Sequence, residues 1–266
     1  VMSYSEYFNE THNQVRASVR KIVQDSVLPY INDWEEAGTF PRELYDEAGR
    51  AGVLALGYPE ALGGIGEGDV FMKIAASEEL MRSGSGGLVA SLGSLDIGLP
   101  PIVKWGSDEL KNRVVPPVLR GEKIAALAIT EPNGGSDVAN IKTRAVSDGD
   151  FYRVSGSKTF ITSGIRADYY TVAVRTGGDG YGGISLLLME KGMPGFTTGK
   201  PLKKHGWWAS DTAELFFDDV KVPKSGKYEV RFAYATAPNR ATNVPVKVES
   251  ADGAKTFTVN QKRAPD

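Results

Sequence analysis

Residues 107–138 read SDELKNRVVPPVLRGEKIAALAITEPNGGSDV, and the chain changes character inside this stretch. Ser107 is a capping hydroxyl followed by Asp108 and Glu109, a pattern that opens a helix and suits its dipole. Pro116-Pro117 is expected to interrupt that helix. From Lys123 the pattern differs: 124–129 is a short apolar run, and Pro132, Gly134 and Gly135 then turn the chain. A helical part ends and a β part begins here.

Upstream, everything reads as helix on helix. Phe8, Val15, Val19, Ile22, Val23 and Val27 recur at spacings of three, four and seven, one stripe of a 3.6-period helix that Pro29 ends. A second helix opens at Pro41, runs through Leu44 and Ala48 and stops at Gly52. Residues 57–68 hold Pro59, Gly63, Gly64 and Gly66 and read as a loop. A third helix fits 69–81, with Asp69 as N-cap and Val70, Ile74 and Ala75 inward, and a fourth fits 87–95.

Downstream, β-branched and aromatic runs at 151–154, 157–162, 169–175, 184–189 and 213–217 alternate with turn residues, the mark of a sandwich or small barrel. After Val222-Pro223 the pattern shifts again: 226–234 alternates strictly, and 246–259 reads as a hairpin turning at Ala251-Asp252-Gly253. The expected fold class is α+β: an N-terminal helical bundle domain (1–122), a β-barrel or sandwich middle domain (123–223) and a short all-β tail (224–266).

Composition narrows the chemistry. The 266 residues include no cysteine, which removes disulfides, thiolate nucleophiles, iron–sulfur clusters and cysteine zinc sites. His12 and His205 are the two histidines, so no metal site is expected. With 31 basic residues against 33 acidic ones, nucleic acid is an unsuitable main partner. No apolar run approaches the ~20 residues of a membrane span, and the N-terminus lacks a signal-peptide pattern, so the expected location is cytoplasmic.

Two stretches carry chemistry. In 127–138 a strand ends in Thr130, turns through Pro132 and two glycines, and presents Ser136 and Asp137 beside free backbone N–H groups able to hold an anion or the polar edge of a ring. Spacing alone fits a serine-capped proline-glycine turn better. In 157–164 period-two geometry sets Phe160 and Thr162 on one face, where a flat ring and a hydroxyl meet the same planar ligand. An ordinary strand with one core aromatic fits as well, and spacing leaves the function open.

Together, in this order and separation, the two stretches resemble the flavin-binding signatures of the acyl-CoA dehydrogenase family. The similarity runs from about residue 5 to 223 and includes PRELYDEAGRAGVLALGYPEALGG, GSDELKNRVVPPVLRGEKIAALAITEPNGGSD and GFTTGKPLKKHGWWASDTAELFFDDVKVP. The family has a helical N-terminal domain followed by a β middle domain, the same order as here. The resemblance implies FAD as cofactor, an acyl-CoA substrate undergoing α,β-dehydrogenation, electron-transferring flavoprotein as partner and homo-oligomeric assembly. It implies that Leu127, Ile129 and Thr130 line the flavin, with Thr130 donating to its pyrimidine edge. Gly135 and Ser136 would face polar portions of the cofactor, and Ser136 also the thioester end of the substrate. Phe160 would pack on the isoalloxazine, Ile161 would add backbone contact, and Thr162 would lie near flavin N5. Tryptophan is commoner in the family at the Phe160 position, and phenylalanine resembles the long-chain type. Asn133 replaces a usual glycine, and Thr159 stands where a larger residue can occur.

The family's general base is a glutamate on a C-terminal helical domain. After Val222-Pro223 this sequence continues in strand pattern instead, so no catalytic base is assigned within it. Glu131 reads as a structural carboxylate, and Asp137, Glu214, Asp218 and Asp219 as solvated or turn-forming. The tail KYEVRFAYATAPNRATNVPVKVESADGAKTFTVNQ resembles part of a golvesin or xanthan-lyase-type β-sandwich, carbohydrate-binding-like. Of Trp207 and Trp208, one is expected in the core and the other near the CoA channel. Three functions are thus in view: a flavin-dependent dehydrogenase, impaired or inactive as this chain stands; a non-catalytic remnant; or a chimeric module whose tail contacts carbohydrate.

Overall fold

The computed structural model describes residues 7–66 and 70–224, and the backbone of the tail strands 243–250 and 253–260. Eight α-helices come first: α1 (Glu10–Ile22), α2 (Ile31–Ala37), α3 (Glu43–Arg50), α4 (Val70–Leu80), α5 (Gly86–Leu92), α6 (Leu95–Gly98), α7 (Pro100–Trp105) and α8 (Asp108–Leu119). Seven strands follow in one curled mixed sheet: β1 (Ala125–Ala128), β2 (Arg144–Asp148), β3 (Phe151–Thr162), β4 (Tyr169–Arg175), β5 (Ile184–Glu190), β6 (Phe196–Thr198) and β7 (Thr212–Pro223). Their order is β1-β4-β2-β3-β7-β6, with β5 antiparallel to β4. The tail hairpin is β8 (Asn243–Ser250) and β9 (Gly253–Asn260), turning where the sequence expects it. The α+β class and the helix-then-sheet order stand.

One continuous core runs from Ile22 and Val27 in the helices through Leu99, Val114 and Leu119 to Ala126, Tyr170, Leu215 and Val222 in the sheet. The two halves therefore share their apolar interior, and polar ties cross it. Arg42 Nη2 donates to Asp168 Oδ2 at 2.5 Å, Thr171 Oγ1 to Gly98 O at 2.7 Å, and Ser163 Oγ to Ser94 Oγ at 3.2 Å. Among the described residues no single helix is long and apolar enough to cross a membrane.

Several expectations need correction. Pro116-Pro117 does not interrupt α8, which runs on to Leu119. The two prolines forfeit two N–H donors, but their carbonyls still accept from Arg120 N and Lys123 N at 3.1 Å, and buried Val114, Val115, Val118 and Leu119 pin the turn. Ser107 does cap it, accepting from Leu110 N at 3.2 Å. In α4, Ala75 is inward but Val70 is 64% exposed and Ile74 is exposed too. The buried stripe is Ala75, Ala76 and Glu79, because Arg20 draws the Glu79 carboxylate inward with bonds of 2.7 and 2.9 Å. Hydrophobic patterning assigns a carboxylate to the outer face, so the helix is rotated from the expected phase.

The expected strands 151–154 and 157–162 are one twelve-residue β3. Gly156 at φ +145° lets it bend past β2, since a Cβ there would lie 2.7 Å from Thr143 Cα. Helices α2, α6 and α7 and strands β2 and β6 go beyond the expected set, and β7 extends to Pro223. Both Trp207 and Trp208 are exposed, so neither is a core residue. Asp69 and the alternating run 226–234 lie outside the described residues.

Candidate functional site

The two chemistry-bearing stretches meet at the ends of β1 and β3. Thr159 N donates to Thr130 O at 2.9 Å, joining the strands just past β1. The turn beyond closes on itself: Glu131 N donates to Gly134 O at 3.0 Å and Gly134 N returns to Glu131 O at 3.1 Å. Pro132 and Asn133 occupy the corner of this four-residue turn, where a preset φ and a turn-forming side chain are favoured. Gly135 then passes close to Thr130, whose Cγ2 would be 3.3 Å from a Cβ placed on it.

A buried ion pair locks the meeting point. Lys158 Nζ is 2.8 Å from Glu131 Oε1 and donates also to Ile129 O at 3.0 Å. Neither side chain reaches solvent: Lys158 is 0% and Glu131 3% exposed. Glu131 also accepts from Lys142 N at 2.6 Å and Thr143 N at 2.9 Å. Burial alone would raise its pKa, but these donors outweigh burial and hold it below the ordinary carboxylate value. Burial pushes the Lys158 ammonium down, against the pull of Glu131. Glu131 is thus the structural carboxylate its sequence context implies, and its donors leave it a poor proton acceptor. Asp137 is exposed and bonds Asn140 Nδ2 at 2.5 Å.

Above this lock sits an open face. Phe160 holds a left-handed backbone at φ +58° and is 68% exposed, at a bulge where β3 slips against β7 between Lys158 and Ile161. A non-glycine residue in that region stores strain, and such strain concentrates at functional sites. Thr162 is half-buried while Thr159 and Ile161 are buried, so Phe160 and Thr162 lie on the more open side; strict alternation would put Lys158 there too, and the bulge between Lys158 and Ile161 breaks that phase. Leu127, Ile129 and Thr130 are half-buried and Gly135 and Ser136 exposed. Among the described residues the hydroxyls of Thr130, Ser136 and Thr162 take no hydrogen-bond partner. An exposed ring and three uncommitted hydroxyls suit a planar ligand with polar edges.

Hydrogen bonds tie Thr130 to Thr159 directly and Ile129 to Lys158. Thr162 pairs in register with Thr212, and the next residue, Ser163, receives Asp211 O at its N–H at 2.8 Å. Lys158 was not singled out by sequence reasoning. Period two places it on the same face as Phe160 and Thr162, so the sequence carries no signal for its burial; the bulge turns it inward, where it needs a buried anion.

A helical N-terminal region sharing its core with a curled mixed sheet is the acyl-CoA dehydrogenase fold. A putative acyl-CoA dehydrogenase from Mycobacterium smegmatis superposes with a TM-score of 0.79 at 48% identity, covering 82% of this chain and 57% of that one. An acyl-CoA dehydrogenase from Bacillus anthracis, solved complexed with FAD, gives 0.76 at 32% identity, covering 84% of this chain and 38% of that one. Models of the acyl-CoA dehydrogenase N-terminal and middle domains match residues 9–122 and 126–220. The chain belongs to the acyl-CoA dehydrogenase family. The mitochondrial long-chain specific acyl-CoA dehydrogenase of Sus scrofa is 42% identical over 221 residues, 82% of this chain and 51% of that protein. The chain spans about half the length of the curated relatives it matches. A golvesin C-terminal domain model matches residues 203–265, overlapping the end of the middle domain.

Proposed function

We propose that this chain supplies the flavin-facing portion of an acyl-CoA dehydrogenase site, which binds FAD and serves α,β-dehydrogenation of an acyl-CoA thioester. The observation that carries the reading is the exposed, strained Phe160 ring beside uncommitted hydroxyls of Thr130 and Thr162, on a support locked by Lys158 and Glu131. These features fit the cofactor: a flat aromatic face for a flat ring system, and hydroxyls for its polar edge. When bound, FAD supplies the hydride acceptor.

The chain's own residues bind and orient. Phe160 packs on the ring system, Leu127 and Ile129 line it, and Ile161, its side chain buried in the core, adds backbone contact. Thr130 donates to the pyrimidine edge and Thr162 sits near the reacting nitrogen. Gly135 and Ser136 meet polar portions of the cofactor, and Ser136 also holds the thioester end of the substrate. No described residue is assigned the removal of the α-proton, and without such a base dehydrogenation is impaired, since a lone general base contributes about 10²- to 10⁴-fold. Electrons pass to an electron-transferring flavoprotein.

The test is the visible spectrum of the purified 266-residue protein. Flavin bands that appear with FAD and persist on adding a long-chain acyl-CoA support the reading in full. Rapid bleaching by the substrate would overturn the impairment, and failure of the folded protein to take FAD would overturn the site. A second reading rests on the golvesin match: the tail contacts carbohydrate. Retention on insoluble polysaccharide that survives deletion of 224–266 would contradict it.

A further inference from the structure

Arg175 closes β4 and is buried, yet no carboxylate meets its guanidinium among the described residues. It donates instead to four backbone carbonyls. Nε reaches Ile141 O at 3.0 Å and Nη2 reaches Ala139 O at 2.5 Å, while Nη1 reaches Gly178 O at 2.5 Å and Gly180 O at 3.2 Å. Its own N–H donates to Thr143 O at 2.7 Å. One fork therefore grips two loops far apart in sequence.

The first loop, 137–143, follows directly from Gly135 and Ser136. Glu131 holds its far end through the Lys142 and Thr143 N–H groups, and Arg175 holds its near part through Ala139 and Ile141. The second, 176–183, returns β4 to β5 and contains Gly177, Gly178, Gly180, Gly182 and Gly183. A segment so rich in glycine loses much backbone entropy on ordering. Gly183 leaves the room the fork needs, since a Cβ there would lie 2.8 Å from Arg175 Nη1. Burying a guanidinium without a counter-ion is costly, and β4 needs no such group for its ladder, which pairs Tyr169 to Arg175 with β5 along its full length. The planar fork meets several carbonyls at fixed angles, which an ammonium cannot reproduce.

We infer that Arg175 is a positioning residue: it clamps the 137–143 loop against the glycine-rich 176–183 loop, and so fixes Gly135 and Ser136 at the mouth of the ligand face. The ligand part of this inference rests on the FAD reading above; the clamp does not.

The experiment compares Arg175→Met and Arg175→Lys with the parent 266-residue protein, by amide hydrogen exchange without ligand and by FAD titration. Both variants are expected to lose protection in 138–141 and in 177–183 together, with α1 and α4 unchanged. FAD affinity is expected to fall roughly tenfold or more with a shifted flavin spectrum, and lysine is not expected to rescue it. Unchanged protection in either loop overturns the clamp. Loosened loops with parental FAD affinity and spectrum overturn the positioning role. If the parent takes no FAD, the proposed function falls while the exchange comparison still decides the clamp. Should the methionine variant not fold, the lysine variant alone decides, and parental behaviour there overturns the inference.

Discussion

Lys158 Nζ lies 2.8 Å from Glu131 Oε1, and the pair joins the two stretches proposed to face flavin. Each residue sits in a different motif, and each is buried only because the other is there. The lock therefore supports the proposed ligand face above it, where Ile129, Thr130, Phe160 and Thr162 all lie within four residues of it along the chain.

Removing one partner strands the other. Lys158→Met should cost about 3–5 kcal/mol in urea unfolding, the usual penalty for an uncompensated buried charge. Adding Glu131→Gln should restore part of it, since it removes the stranded charge, although its one amide oxygen can keep only one of the Lys142 and Thr143 N–H donors, which bind separate carboxylate oxygens. A single-variant cost below about 1 kcal/mol would show that the pair does not hold the site together.

Phe160 pays for its exposed ring with backbone strain at φ +58°. Phe160→Gly removes a left-handed conformation worth about 1–2 kcal/mol and the aromatic face together. The flavin-free variant should melt no lower than its parent, while its FAD affinity drops. Loss of thermal stability without loss of FAD affinity would assign Phe160 to the fold and not to the ligand.

Thr162 and Glu214 lie on neighbouring strands, β3 and β7, and serve as a matched pair. Thr162→Ala should weaken FAD by roughly up to tenfold, one hydrogen bond's worth, and alter the flavin spectrum. Glu214→Ala should do neither. Equal effects would count against Thr162 facing the reacting nitrogen.

Acid stability follows from three buried or half-buried carboxylates. Hydrogen bonding from Arg20 leads the lowering of Glu79; in Glu131 and Asp168 burial pulls upward, but Lys158 and Thr143 in the one case, and Arg42 with Ile124 N in the other, prevail. Each native carboxyl binds a proton less readily than its unfolded counterpart at 4.5 for glutamate or 3.8 for aspartate. Between folded and unfolded values the unfolded chain holds more protons, so stability rises with pH there. Their contribution is complete above those unfolded values and is lost as pH falls through the folded ones. Unfolding free energy measured against pH should fall on that acid limb, and Glu131→Gln should flatten it.

Much of the architecture was legible. The change at Lys123, the Ser107 cap, strand β4 and the tail hairpin follow from local pattern, because each is set by neighbours in sequence. What local pattern misjudged was set by distant partners. Glu79 turns inward because Arg20 waits on α1, and that rotation exposes Val70 and Ile74. Buried packing carries α8 through two prolines. The site divides likewise: alternation groups Phe160 with Thr162 but would add Lys158 to their face, and only the bulge and Glu131, 27 residues earlier, turn Lys158 inward. Arg175 is harder still, since its partners are carbonyls that leave no mark in side-chain sequence.

The most direct test of the account is an FAD titration of the purified protein, followed by flavin absorbance and run beside a Thr130→Ala/Phe160→Ala/Thr162→Ala triple variant. Saturable binding with a perturbed flavin spectrum, lost in a triple variant that keeps the parent's far-ultraviolet circular dichroism, is the predicted result. A folded parent that leaves free FAD unperturbed, or a triple variant that binds as tightly as the parent, would contradict the assignment of this face to flavin.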